Sequence, residues 1–288
     1  MISAKTVSAL VLAAGIGSGI VGCGGSESAS SSETAAASSS GANTATSPAP
    51  NVYDIALAWR ETSAERDMLY RQGFNVARDR LDAALQAQKP GDKPLAVVTD
   101  IDDTVLDSNT YWTELIAAGK QSFDDAIWDK WVENNGPTAT PGSVDFLGYA
   151  KSKGVEVFYV SSRDQGEDTQ KFAVANLATV GLPFADDTHV TMLRDSSDKE
   201  PAQKAIEEKF TVPVLLGDNL NDFKRVYYVK SVGERKGLAE QDAAEFGRRF
   251  VLFPNPTDGH WMRAVFGDSE PADTPEYRTK LRDAATGK

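Results

Sequence analysis

The chain is expected to fold as a three-layer α/β domain, a mostly parallel sheet carrying a small helical cap and an N-terminal helical extension. Two observations carry this expectation. Short apolar, β-branched runs alternate with segments of helical period, the order that strand–crossover–strand units require. Three of the strand-like runs also end in a polar residue, Asp100, Ser161 or Asp218, and the carboxyl ends of parallel strands are where an open sheet gathers its ligand-binding groups.

From Val52 to about Gln88, the residues Ile55, Ala58, Trp59, Phe74, Ala77, Leu81, Ala84 and Leu85 recur at three- and four-residue spacing, which predicts helix. Leu95 to Asp100 is the first, buried strand. Pro141 to Lys153 predicts a helix with proline in its first turn and Gly154 at its end. Val155 to Val160 is a second strand, and the helix from about Glu167 to Val180 is closed by Gly181. His189 to Leu193 is a weak strand and Lys199 to Lys209 a helix. Val212 to Leu216 is a strand running into Gly217-Asp218, and Arg249 to Phe253 is the last. The insertion 107–140, between the first two strands, is longer than a crossover needs. Its Tyr111, Trp112, Phe123, Trp128 and Trp131 either shape a substrate pocket or, for Trp128 and Trp131 above all, pack the insertion onto the sheet. Residues 271–288 read as a C-terminal tail.

The amino terminus is of another kind. Lys5 precedes an apolar stretch from Val7 to Val21, and Ile20-Val21-Gly22 leads into Cys23, the only cysteine, so no intramolecular disulfide can form. Residues 1–22 resemble a lipoprotein signal peptide, with Cys23 the lipid acceptor. More than one acyl chain on Cys23 gives stable attachment to a membrane that the chain does not cross. Residues 23–50 are nearly all Ser, Ala, Gly and Thr, too polar to offset their conformational entropy, and are expected to form a disordered spacer spanning about 30 Å. The domain proper is then 51–270. The whole chain's composition, 41% hydrophobic and 25% charged, is that of a globular protein, and its net charge of -12 argues against a nucleic-acid partner.

The chemistry gathers at the strand ends. Asp100 and Asp102 follow the first strand, Ser161 closes the second, Lys199 opens a helix, and Asp218 and Asp222 follow a later strand. Carboxylates converging on one edge repel one another unless a cation is present, and all-oxygen donors select Mg²⁺. An EF-hand loop starting at Asp100 fails, because Val105 stands where glycine is needed and Tyr111 where the bidentate glutamate is needed.

Asp100-Ile101-Asp102-Asp103-Thr104, Ser161, Lys199 and Asp218-Asn219-Leu220-Asn221-Asp222 resemble the four motifs of the haloacid dehalogenase-like hydrolases. Val105-Leu106-Asp107, Phe158-Tyr159-Val160-Ser161, Gly217-Asp218-Asn219-Leu220 and Phe253-Pro254-Asn255, with Ala58-Trp59 and Thr62-Ser63-Ala64-Glu65 upstream, narrow the resemblance to the class C acid phosphatases, bacterial surface lipoproteins. That resemblance spans about residues 51 to 265. It implies that Asp100 is a nucleophile forming an aspartyl-phosphate, and that Asp102 protonates the leaving alcohol and then activates water. Mg²⁺ is then held by the Asp100 and Asp218 carboxylates and the Asp102 main-chain carbonyl. Ser161 and Lys199 hold the phosphoryl group, with Lys204 the competing candidate for the lysine, and Asp222 orients Lys199 or a water of the metal. Asp103 and Thr104 shape the loop.

The chain departs from the nucleotide-preferring pattern at Asp258, where an aromatic residue is expected to stack on a base. Tyr111, Trp112 or Trp261 is then expected to provide the stacking face, or nucleotides are not favoured. His189 and His260 are expected to be structural or surface residues. The function read from the sequence is therefore a lipid-anchored, Mg²⁺-dependent acid phosphatase of the cell envelope. It acts on small phosphate monoesters, with nucleoside monophosphates an open class, and the resemblance implies a homodimer. The alternative is a surface binding lipoprotein on the same fold that has lost catalysis.

Overall fold

The structure is a computed structural model in which residues 51–288 are described. The expected signal peptide, the Cys23 acceptor and the spacer lie outside these residues. Five parallel strands form the central sheet: β1 (Leu95–Thr99), β4 (Glu156–Ser162), β5 (Val190–Leu193), β6 (Thr211–Gly217) and β7 (Phe250–Leu252), in the order β5-β4-β1-β6-β7. The chain runs outward from β1 through β4 to β5, then returns to the other side of β1 for β6 and β7. The sequence direction therefore reverses at β1, and a sheet of this kind opens its ligand crevice at that reversal, beyond the carboxyl ends of the strands.

Alternation along β1 builds the layers. Leu95 and Val97 face Tyr70, Phe74, Ala77 and Leu81 of α2 (Ala64–Ala87), Phe146 and Leu147 of α5 (Ser143–Ser152), and Ala173 and Leu177 of α6 (Thr169–Thr179). Ala96 and Val98 face the other way, with Phe158, Leu215 and Phe250, toward Ala202 and Ile206 of α7 (Glu200–Glu207) and Leu238 of α8 (Val232–Gln241). Each face of β1 thus buries a separate apolar layer, which is why all five of its residues are buried.

The insertion forms the expected helical cap. A two-stranded antiparallel ribbon, β2 (Leu106–Asp107) with β3 (Thr138–Ala139), closes its base, and α3 (Asn109–Ala117) and α4 (Asp125–Glu133) lie between. Tyr111, Trp112, Leu115, Trp131 and Val132 make its own small core with Tyr53.

Four expectations are corrected. The helix expected from Pro141 starts at Ser143, because Gly142 takes a left-handed φ of 95° at its N-cap, so proline stands before the helix. Residues 271–288 carry a helix, α10 (Pro275–Thr286), whose Tyr277 packs edge-on against Phe266 of α9 (Trp261–Phe266). The first expected helix is two, α1 (Asp54–Thr62) and α2, separated at Ser63, whose side chain accepts from the Arg66 N–H and caps α2. Finally, Ile55 is 82% exposed and Ala58 is exposed, while the residue that α1 buries is Arg60. The apolar spacing found the helix but not its inward face. Among the described residues no helix is long and apolar enough to cross a membrane.

Candidate active site

Asp100 stands one residue beyond β1, its N–H donating to the Leu216 carbonyl of β6 at 2.9 Å, so the sheet itself fixes its position. The carboxylate is 6% exposed. Its Oδ1 accepts from Ser161 Oγ of β4 at 2.8 Å and from Lys199 Nζ at the start of α7, while Oδ2 receives only a long contact of 3.4 Å from Thr104 Oγ1. Lys199 Nζ also donates to Asp222 Oδ1 at 2.7 Å. Lys204 is exposed and pairs with Glu200, so of the two lysines it is Lys199 that reaches Asp100.

Asp218 and Asp222 follow β6. Asp222 Oδ2 accepts from the Asn219 N–H at 2.8 Å, closing a capping box. Asp218 accepts from Asn255 Nδ2 at 2.7 Å and Thr104 Oγ1 at 3.3 Å. Gly217 permits this arrangement: a Cβ there would come within 2.4 Å of Asp222 Cβ.

One carboxylate oxygen each from Asp100, Asp218 and Asp222 can be chosen so that all lie within 4.8 Å of one another. Like charges at about 4 Å repel by about 4 kcal/mol at a near-surface effective dielectric, and Lys199 supplies one positive charge against three negative. The protonation states follow. Burial alone would lower the Lys199 pKa, but Asp100 and Asp222 outweigh it and raise it. Burial, then Asp222 and Asp100, push Asp218 well above the usual carboxylate range, and burial pushes Asp222 up to about 6 despite Lys199. A divalent cation would cancel the two uncompensated charges, and an all-oxygen donor set suits a hard ion. The residues fit a metal of this class.

The Asp102 side chain stays out of this group. Its oxygens accept from Arg163 Nε at 2.7 Å and Nη2 at 2.6 Å, and burial pushes its pKa up against the pull of that guanidinium. Asp103, at a left-handed φ of 55°, points away, into Arg60, Ser108 and Asn255. Asp103 thus braces the loop, whereas Thr104 turns its hydroxyl toward both Asp100 and Asp218.

A cavity of about 330 Å³ opens onto these groups, lined by Trp112, Phe123 and Trp128 of the cap and by Asp258. Two pocket expectations fail. Tyr111 is fully buried among Trp112, Phe123, Trp128 and Trp131, its hydroxyl accepting from the Asp124 N–H, so it packs the cap and does not line the cavity. Trp261 is absent from the cavity wall and donates from Nε1 to the Asp258 carbonyl at 2.8 Å. Trp128 does line the cavity, whereas Trp131 packs. His260 lies in the wall as well, bonded to Ser269, and burial lowers its pKa to about 4. Arg163 went unread in the sequence, although its two-residue spacing from Ser161 puts both on one side of the strand end.

A family model described as HAD superfamily, subfamily IIIB (Acid phosphatase) matches residues 21–261. A curated relative, Acid phosphatase 1 of Solanum lycopersicum, is 29% identical over 134 residues, 43% of this chain and 50% of that protein, so the chain matches half the relative's length. Two solved structures of a class C acid phosphatase from Bacillus anthracis, one with tungstate bound, superpose with a TM-score of 0.73 at 33% identity, covering 80% of this chain and 94% of theirs.

Proposed function

Because the chain belongs to the subfamily IIIB acid phosphatases of the HAD superfamily, a family of phosphoric monoester hydrolases, we propose that the edge around Asp100 hydrolyses small phosphate monoesters and that Mg²⁺ assists it. The observation that carries this reading is the Asp100 carboxylate, fixed by the sheet with Ser161 and Lys199 on one oxygen and Asp218 and Asp222 beside it. Asp100 attacks phosphorus, and the leaving oxygen departs with a proton from Asp102. Asp102 then takes a proton from the water that cleaves the aspartyl-phosphate, releasing phosphate and restoring Asp100. Ser161 Oγ and Lys199 Nζ, already placed on Asp100, donate to the phosphoryl oxygens as charge builds there.

When bound, the ion supplies positive charge against the phosphoryl group. Asp100 and Asp218 would hold it, with the Asp102 carbonyl from the family resemblance and Asp222 near enough to join. The aromatic cavity wall suits aryl and nucleoside esters, and its position beside Asp100 supports a substrate-shaping role for the cap.

Asp100→Asn should leave less than about 10⁻⁴ of wild-type turnover of p-nitrophenyl phosphate, beyond the range of a lost acid–base group. Turnover within tenfold of wild type would overturn the nucleophile assignment. The location rests on Cys23 and the apolar segment before it. Cys23→Ser should abolish acyl labelling and move the protein out of the membrane fraction, and unchanged labelling would refute the anchor.

A further inference from the structure

We infer that Arg163 is a positioning residue for proton transfer, acting through Asp102 and tying it to the cap; this rests on the reading of Asp102 as proton donor. The register of the sheet sets up the pair. β1 and β4 run parallel and in contact to Thr99 and Tyr159, and beyond them Ser161 reaches Asp100 while Arg163, two residues on, reaches Asp102, two residues beyond Asp100. A planar guanidinium gripping both oxygens fixes the carboxylate in direction as well as place, which a point charge does not.

Exposure divides the two roles. Both residues border the cavity, but the Arg163 side chain is 1% exposed and Asp102's is 22%, so the acid presents the more open face. Arg163 is itself held. Its Nη1 donates to Asn176 Oδ1 of α6 at 2.9 Å, and Asn176 Nδ2 donates to the Val132 carbonyl in the last turn of cap helix α4 at 2.9 Å and to Asn135 Oδ1, two residues past that helix, at 3.0 Å. The guanidinium also lies 5.7 Å from the centre of the Trp128 ring in the same helix. The cap helix that carries part of the substrate wall therefore also braces the group that aims the acid, and the leaving oxygen and its proton donor are placed from one element.

The test exploits leaving groups that differ in their need for a proton. Nitrophenolate departs without one, whereas glycerol departs as an alcohol only if protonated, and kcat/KM reports the steps through cleavage of the ester. Arg163→Met should lose about 10²-fold in kcat/KM on glycerol phosphate, within the span of general acid–base effects, and only a few-fold on p-nitrophenyl phosphate. Arg163→Lys, which keeps the charge but cannot fork, should fall between. The glycerol phosphate loss should appear in kcat rather than KM, because the arginine acts on the acid and not on the bound phosphate. Equal losses on both esters, or none, would overturn the inference. Asp102→Asn run on the same pair separates the two claims. If it discriminates between the esters and the Arg163 variants do not, only the positioning role fails; if it does not discriminate, the proton-donor reading fails with it.

Discussion

Two groups of buried carboxylates meet in the short segment from Asp100 to Asp107, and they are neutralised very differently. Asp103 and Asp107 face the N-terminal helices. Arg60 forks Asp103 and lies 3.6 Å from Asp107, Arg66 pairs with Asp107 at 2.7 Å, and Ser108, Asn109 and the Tyr70 hydroxyl close the remaining positions on this loop. Burial would raise the Asp103 pKa, yet Arg60 and Ser108 hold it below the usual range. On the other side of the same loop, Asp100 and Asp222 share one lysine, and Asp218, which accepts from Asn255 and Thr104, is forced upward. The compensated group clamps the loop; the uncompensated one keeps a surplus of negative charge that a cation can neutralise. An imbalance held in place by well-balanced neighbours separates the reactive acids from the structural ones.

The largest effect should come from breaking the balanced side. Arg60→Met leaves Asp103 buried without its main partner, a loss of about 3 to 5 kcal/mol for a broken buried pair. Lys204→Ala, which removes an exposed partner of Glu200, should cost no more than about 1 kcal/mol. Urea titration of both variants checks this. If Arg60→Met unfolds with the wild-type midpoint, the clamp is not what holds the loop, and the comparison collapses.

On the unbalanced side the order is reversed, and removing a charge should help the metal-free protein. The folded-state pKa of Asp218 is raised, so its favourable contribution is complete below the unfolded value near 3.8 and is lost as pH rises through the folded value. Asp218→Asn should therefore melt higher than wild type at pH 7 in chelator. Added Mg²⁺ should stabilise wild type by about 2.7 kcal/mol at a hundredfold excess over its Kd and leave Asp218→Asn nearly unmoved. Equal Mg²⁺ responses would remove Asp218 from the metal site.

These two sides were unequally legible in the sequence. Asp100, Ser161, Lys199, Asp218 and Asp222 each stand at or just past a strand's carboxyl end or open a helix, so local patterning and a parallel sheet suffice to bring them together. The partners that tune them come from elsewhere. Arg60 is the one buried residue of a helix whose apolar residues are half-buried or exposed, and Arg163 faces Asp102 only through the register of β1 and β4, so neither carries an apolar period to be read. Polarity hid α10 in the same way, since PEYRTKLRDAAT docks through Tyr277 as its one buried residue. Tyr111 shows the converse error: an aromatic in a cap can stack on its neighbours as readily as on a ligand, and its own hydroxyl bond to the Asp124 N–H satisfies it inside.

Asp258 should give the smallest effect and the finest view of the difference, because it lies in the cavity wall outside the cluster of three and forms no ion pair among the described residues. Burial raises its pKa to about 7, with the Gly259 N–H pulling it down and Glu270 and Asp103 adding to the rise over Arg60. A carboxylate raised in this way contributes its full stability below about pH 4, and that contribution is lost as pH climbs through 7. Asp258→Asn should accordingly match wild type in melting temperature near pH 4 and exceed it at pH 8, by less than the Asp218 variant does. The same charge should be felt by substrate. Above pH 7 the ionised side chain repels an incoming phosphate dianion across the cavity, so the variant should show a lower KM at pH 8 with kcat nearly unchanged, and no KM difference at pH 5. A KM ratio that stays constant from pH 5 to 8 would mean that Asp258 does not ionise in this range or that its charge is screened from the substrate, and the uncompensated acids would then end at Asp100, Asp218 and Asp222.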